Sequence, residues 1–267
     1  SGEKVLPRNL CPLIKSTLGF KLDRICPYFQ VSDWVIGETT CDGKKKAWEI
    51  LNEYMPTYVM ELPQKKDAKD SRLWEDEVRE FAAFVERETK VTLTAENLAE
   101  GIAKINNKRK ALQRLADLRK HNPAPIHGLD VLLINQLSFF DDPVRFAAQV
   151  NILCDELEER VKEGRGVVSA DAPRILVTGT PQPLPAWKLH ALVEQAGAVV
   201  VGEETCTGER YFRDMTEPAD SLPEMLTNIA KRPLKVNCAC FTPNQGRLED
   251  IVHMAKNLKA DAVIDFN

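Results

Sequence analysis

The sequence predicts an α/β fold in which two parallel-sheet domains are joined by a helical segment. Three observations predict it. The stretch Val35-Ile36-Gly37-Glu38-Thr39-Thr40-Cys41-Asp42-Gly43 returns in near copy as Val200-Val201-Gly202-Glu203-Glu204-Thr205-Cys206-Thr207-Gly208, so one unit occurs twice. Around each copy, strand-like runs alternate with helix-like runs, the order that builds parallel sheets through crossover helices. Between the copies, residues 67–121 are rich in Glu, Lys, Arg, Ala and Leu, with apolar residues at helical spacing. In each copy a short β-branched run reads as a buried strand, and the polar residues after it read as the loop at the strand's carboxyl end. Ligands bind at that edge in open α/β sheets, so the two loops are expected to face each other across a cleft lined with thiols.

A chain of 267 residues with 43% hydrophobic content is long enough for two domains with substantial cores. The net charge of −4, with acids and bases interspersed, argues against nucleic acid or an anionic membrane surface as partner. No apolar run approaches the ~20 residues of a membrane span. Ser1-Gly2-Glu3-Lys4 lacks the charged-then-apolar plan of a signal peptide, which makes the cytoplasm the expected compartment. Seven cysteines, an odd number without secretory features, argue against a disulfide framework and leave metal binding, redox chemistry or buried thiols.

Residues 1–32 hold two Cys-Pro pairs, Cys11-Pro12 and Cys26-Pro27. Proline biases the residue before it away from the helical region, so both cysteines are expected in loops. A strand over 34–37, the Cys41 loop, a helix over 44–54 and a strand over 57–62 make a βαβ unit, with Pro56 and Pro63 bounding the second strand. Lys44, Lys45 and Lys46 open that helix, at the end where a cation is disfavoured, so they are candidate contacts for phosphate or an acidic partner. A solvated face is the plainer reading of such a run. Val78, Phe81, Phe84 and Val85 mark one helix; Thr92 or Thr94 caps the next, whose apolar stripe continues through Ile105, Leu112 and Leu115. Pro123, Pro125 and Gly128 interrupt it. Residues 129–135 read as a helix, and Asp142-Pro143 launches another over 144–162, with Cys154 as a core thiol beside Leu153 and Leu157.

The second half repeats the order: a strand over 174–178, a helix over 185–195 with Gly197 past its end, and a strand over 198–201 leading to the Cys206 loop. Gly179-Thr180-Pro181-Gln182-Pro183-Leu184-Pro185 does not match G-x-G-x-x-G, so neither a nicotinamide nor a flavin cofactor is indicated. A strand over 235–238 is expected to deliver Cys238-Ala239-Cys240 to a loop, followed by a helix over 247–258 and a strand over 261–265.

With Cys154 set aside, Cys11, Cys26, Cys41, Cys206, Cys238 and Cys240 are all expected in loops. Zinc favours paired C-x-x-C motifs, which are absent. Iron–sulfur clusters tolerate widely separated ligands. Thiol–disulfide exchange is weakened by the same lack of C-x-x-C. His121, His127, His190 and His253 form no spaced cluster and read as surface or capping residues. No Ser/His/Asp set stands in a nucleophile-elbow context.

The segments Pro7-Arg8-Asn9-Leu10-Cys11-Pro12, Gly37 to Lys46, Gly128-Leu129-Asp130 with Asp141-Asp142-Pro143, and Asn237-Cys238-Ala239-Cys240-Phe241-Thr242-Pro243-Asn244 resemble the 2-hydroxyacyl-CoA dehydratase and benzoyl-CoA reductase superfamily. Glu203-Glu204-Thr205-Cys206-Thr207-Gly208 and the cysteine-rich second half look most like its double-cubane cluster proteins.

The resemblance implies two Rossmann-like domains, oxygen sensitivity, a homodimer, and iron–sulfur clusters fed with low-potential electrons by a separate ATP-hydrolysing iron–sulfur activator. It implies first a reductase component that reduces a small molecule at a double-cubane (8Fe–9S) cluster on Cys11, Cys26, Cys41, Cys206, Cys238 and Cys240. The alternative it implies is a 2-hydroxyacyl-CoA dehydratase subunit with one 4Fe–4S cluster on Cys11, Cys41 and a further thiol, dehydrating through a ketyl radical. There Lys44, Lys45 and Lys46 would help with coenzyme A phosphates. A non-catalytic, zinc-stabilised scaffold is the reading from a different class. Family members carry segments before Ser1 and after Asn267, and a ligand beyond Asn267 would release Cys26 or Cys238 first. Thr180 stands where many relatives have cysteine. The expected division is a first α/β domain over 1–66, a helical bridge over 67–165 and a second α/β domain over 166–267.

Overall fold

A computed structural model describes residues 2–182 and 187–266. The fold is α/β with two all-parallel sheets, and the chain divides into two compact units. One comprises Ser1–Thr92 with Cys238–Pro243; the other comprises Leu93–Asn237 with Asn244–Asn267. The cut falls inside the segment expected as a helical bridge, whose first helix belongs to the first unit and whose remainder belongs to the second.

In the first unit, helices α1 (Pro12–Leu22) and α2 (Pro27–Val31) precede strand β1 (Val35–Glu38), helix α3 (Asp42–Leu51) and strand β2 (Thr57–Met60). β1 and β2 pair in parallel, with Val35 opposite Thr57 and Glu38 opposite Met60. Ile14 and Leu18 of α1 and Ala47 and Leu51 of α3 bury together with Leu6 and Met55, the i, i+4 spacing that one helix face supplies. Helix α4 (Ala68–Thr89) starts where Asp67 accepts from the amides of Lys69 and Asp70. Its Phe81 and Phe84 stack on Tyr58 of β2, with centroids 5.5 and 4.4 Å away.

The second unit opens with helix α5 (Ala95–Leu118). Thr94 closes a capping box: the Asn97 amide donates to its hydroxyl at 3.2 Å, and its own amide donates to Asn97 Oδ1 at 2.9 Å. Helix α6 (Gly128–Leu137) follows, then helix α7 (Pro143–Lys162), capped by Asp142, which accepts from the Val144 and Arg145 amides. Ala111, Leu112 and Leu115 of α5 pack against Val150, Cys154 and Leu157 of α7.

Strand β3 (Arg174–Gly179), helix α8 (Lys188–Gln195) and strand β4 (Val199–Glu204) come next, then the short helix α9 (Glu209–Phe212), α10 (Leu222–Leu234), α11 (Gln245–Asn257) and strand β5 (Ala262–Phe266). The parallel order is β4-β3-β5, with β3 central and every residue of β3 and β4 buried. Apolar contacts cover both faces: Val177 and Val200 on one side, Leu176, Val199, Val201, Met254 and Leu258 on the other.

Two expectations need correction, and a third falls partly outside the described residues. No strand forms over 235–238: α10 runs to Leu234, and Lys235 caps it. That tetrapeptide has only Val236 as a β-branched residue, too little apolar surface to stand as a sheet element. Glu38, Glu203 and Glu204, expected in loops, are the closing residues of β1 and β4. For α8, the expected start at Pro185 lies outside the described residues.

Candidate functional site

Three cysteines of the first unit stand at helix N-caps: Cys11 before α1, Cys26 before α2 and Cys41 before α3. As expected, Cys11 and Cys26 stay outside the helical region, with ψ of 130° and 118°, and the proline after each opens a helix, because proline at the first helical position wastes no N–H and holds a helical φ. None of the three side chains caps its helix. Cys11 and Cys41 are exposed and Cys26 is half-buried. The amino end of a long helix carries partial positive charge, a setting that favours an anionic ligand beside Cys11 and Cys41.

The Cys41 turn is tethered on several sides. Glu38 Oε2 accepts from the Thr40 amide at 2.8 Å, and the Leu62 amide donates to Thr39 Oγ1 at 2.9 Å. Trp48 Nε1 donates to the Glu38 carbonyl at 2.9 Å. Each lysine of the triplet meets a carboxylate: Lys44 meets Glu38, Lys45 lies 3.7 Å from Asp42, and Lys46 lies 2.7 Å from Glu49. Cys238 and Cys240 also belong to this unit, half-buried in one turn with their thiols hydrogen-bonded. That bond, burial and the charge of Glu38 push the Cys240 thiol up from its ordinary range.

In the second unit, Cys206 is exposed in the turn between β4 and α9. Arg210 Nη1 approaches its Sγ to 3.7 Å. The same guanidinium forks onto Glu204, which also accepts from Thr178 Oγ1 at 2.7 Å and has Arg247 Nε at 3.6 Å. Glu203 lies beside it in sequence and meets other partners: Arg119 at 2.6 and 2.8 Å and His190 Nε2 at 3.1 Å. Burial alone would raise Glu203, but the Arg119 charge and the His190 contact outweigh it and hold the carboxyl at about 2.

His190 is a correction. Read as a surface or capping residue, it is fully buried between Glu203 and Gln182 Oε1, because the sheet brings a carboxylate to the face of α8. His121 and His253 are exposed, and His127 stands at the N-cap of α6 without a side-chain capping bond, its Nδ1 3.5 Å from Glu194 Oε2. Cys154 is enclosed in the core, and burial pushes its thiol up to about 11, as suits an inert thiol. Sequence reasoning missed Arg119, Arg210 and Arg247. The one available signal was the Glu203-Glu204 pair, which needs cations once buried.

Outside the core the first unit holds five thiols and the second holds Cys206, none of them in a disulfide, and thiols are the donor type that suits soft metals. Among the described residues, no three Cys, His, Asp or Glu side chains gather at one point. Nor is any described helix long and apolar enough to cross a membrane.

Comparison with known proteins places this geometry in context. The family model described as 2-hydroxyglutaryl-CoA dehydratase, D-component, matches residues 1–267. Over 266 residues the chain is 36% identical to a protein of Escherichia coli (strain K12) named "Putative dehydratase subunit YjiM", covering 99% of this chain and 68% of the relative. Over 273 residues it is 23% identical to the (R)-phenyllactyl-CoA dehydratase beta subunit of Clostridium sporogenes, covering 97% of this chain and 67% of the relative. The chain belongs to the 2-hydroxyglutaryl-CoA dehydratase D-component family.

Proposed function

We propose that the chain is a subunit of an enzyme that removes the 2-hydroxyl group of a 2-hydroxyacyl-CoA thioester as water. The observation that carries this reading is a match along residues 1–267 to a dehydratase component, in a chain that leaves Cys11, Cys41 and Cys206 exposed and free of disulfides. The names of the two relatives support it, since each is called a subunit of a dehydratase.

In this reading Cys11, Cys26, Cys41, Cys206, Cys238 and Cys240 are the candidate ligands of an iron–sulfur group. Such a group supplies low-potential one-electron chemistry when bound. An ATP-hydrolysing iron–sulfur activator delivers the electron, and a second copy or companion subunit completes the assembly. Lys45 and Lys46 hold their carboxylates only in exposed pairs, which exchange readily for a phosphate, so the start of α3 suits the coenzyme A end of the substrate. The six thiols outside the core favour one further reading, a reductase component with two joined cubanes, because a single cubane in a dehydratase subunit needs fewer.

Anaerobic purification followed by iron and acid-labile sulfide analysis, then assay with activator and ATP, tests the proposal. Iron and sulfide amounting to one cubane per chain, with water lost from a 2-hydroxyacyl-CoA, are expected. Two cubanes' worth of iron with reduction of acetylene, and no dehydration, would install the reductase reading instead. Zinc without iron or sulfide would overturn both.

A further inference from the structure

Cys238 and Cys240 are the opposite of scattered. They lie two residues apart in one tight turn, closed by the Phe241 amide donating to the Cys238 carbonyl at 3.1 Å, and their thiols are hydrogen-bonded to each other. The turn is anchored within the first unit. Phe241 is 4% exposed, with the Lys66 ammonium 4.7 Å from its ring centroid, and the Thr242 amide donates to the Gln64 carbonyl at 2.9 Å. Both residues are only partly buried. By contrast, Cys11, Cys26 and Cys41 occupy three separate helix starts, and Cys154 is sealed in the core.

Two thiols hydrogen-bonded within one turn have one reaction close at hand. We propose that Cys238 and Cys240 are a redox modification site, closing to a reversible disulfide within the turn when met by a low-molecular-weight disulfide such as oxidised glutathione. The turn already holds the ends together, so closing the ring costs little further chain entropy.

The exchange balances in two steps. Cys238 gives up its proton, and its sulfur attacks a sulfur of the oxidant; that S–S bond breaks, and the departing glutathione thiolate takes up a proton. The second cysteine then gives up its proton and attacks the mixed disulfide, expelling the other glutathione as a thiol. Two electrons pass from the cysteine pair to the oxidant, and two protons pass to the two glutathiones. The site goes beyond the dehydratase reading. Should the pair also hold iron, oxidation would remove both of its sulfur ligands together.

The test uses the full chain stripped of metal by chelation without oxygen, equilibrated with mixtures of oxidised and reduced glutathione, quenched in acid and labelled with N-ethylmaleimide. Trypsin cuts after Lys235 and Arg247, giving a peptide whose only cysteines are Cys238 and Cys240. That peptide is expected to become lighter by two hydrogens and to carry no label, while Cys11, Cys26 and Cys41 carry label or glutathione; dithiothreitol restores two labels. In Cys240→Ser the Cys238 thiol is expected to stop at the glutathione mixed disulfide, and in Cys238→Ser the Cys240 thiol does likewise. Label on both cysteines of the parent chain at every ratio, a glutathione on each, or a bridge from either to a different cysteine overturns the proposal. Iron content of the untreated protein is measured separately. Iron without the turn disulfide sinks this site alone, whereas the disulfide in a chain that takes up no iron sinks the metal reading alone.

Discussion

Arg119 and Glu203 meet through two parallel hydrogen bonds of 2.6 and 2.8 Å in a place where both side chains are 2% exposed. Arg119 also donates to the Val200 carbonyl at 2.9 Å, so the residue that caps the end of α5 is fastened to β4. The Glu203 Oε1 that accepts from Arg119 Nη2 also meets His190 Nε2, at 3.1 Å. A charge so placed is tolerated only while its partner stays.

Arg119→Met is therefore expected to strand a buried carboxylate and lower stability by about 3–5 kcal/mol. Urea unfolding followed by circular dichroism measures it. A loss below about 1 kcal/mol would show that Glu203 finds another partner.

Glu203 also predicts an acid limb. Its carboxyl sits near 2 in the folded chain against an ordinary 4.5, so its contribution is complete above about 4.5 and is lost as pH falls toward 2. Glu203→Gln should flatten that part of the stability profile. A mutant curve that runs parallel to the parent between those pH values would assign the acid limb to other groups.

Glu209 acts in the opposite sense. It lines a cavity of about 270 Å³ with Gln113, Lys120, Arg213 and Asn257, and burial pushes its carboxyl up to about 7 despite Arg119, Lys120 and Arg213 nearby; Glu203 adds to the rise. The unfolded chain releases this proton first, so the residue subtracts stability as pH climbs from about 4.5, fully so above about 7. Glu209→Gln should stabilise the protein by about 1–3 kcal/mol at pH 8 and have little effect at pH 4. Thermal melts at the two pH values separate these outcomes.

Gly37 has a steric role. A Cβ there would lie 2.7 Å from the Trp48 ring, which cannot swing away without losing its bond to the Glu38 carbonyl. Gly37→Ala should cost about 1–3 kcal/mol by overpacking. Chemical denaturation followed by tryptophan fluorescence measures that cost, and an unchanged midpoint would refute the contact. Its repeat counterpart, Gly202, makes room for Leu258 in the same way, at 2.4 Å.

Cysteine variants divide the thiols by role. Under the proposed iron–sulfur function, Cys41→Ser and Cys206→Ser are expected to lose iron while staying folded, since both residues are exposed. Cys154→Ser is expected to keep its iron but lose about 1–3 kcal/mol, because a hydroxyl replaces an inert thiol in an apolar core. Colorimetric iron analysis beside a melting curve reads both effects. Full iron retention in the first two variants would remove them from the ligand set.

Much of the architecture is written locally. The valine-rich runs, the Asp142-Pro143 and Thr94 starts and the stop at Gly197 state their elements within a few residues, because capping and side-chain periodicity act over one or two turns. The cysteines that leave the core could be named the same way, from their polar or proline-flanked surroundings. What local pattern could not reveal is pairing across the chain. That His190 is buried, that Glu203 belongs to Arg119 and that Arg247 reaches Glu204 are decided when distant segments pack. A charged or polar side chain has many possible partners in a linear chain and only those that burial leaves within reach in a folded one.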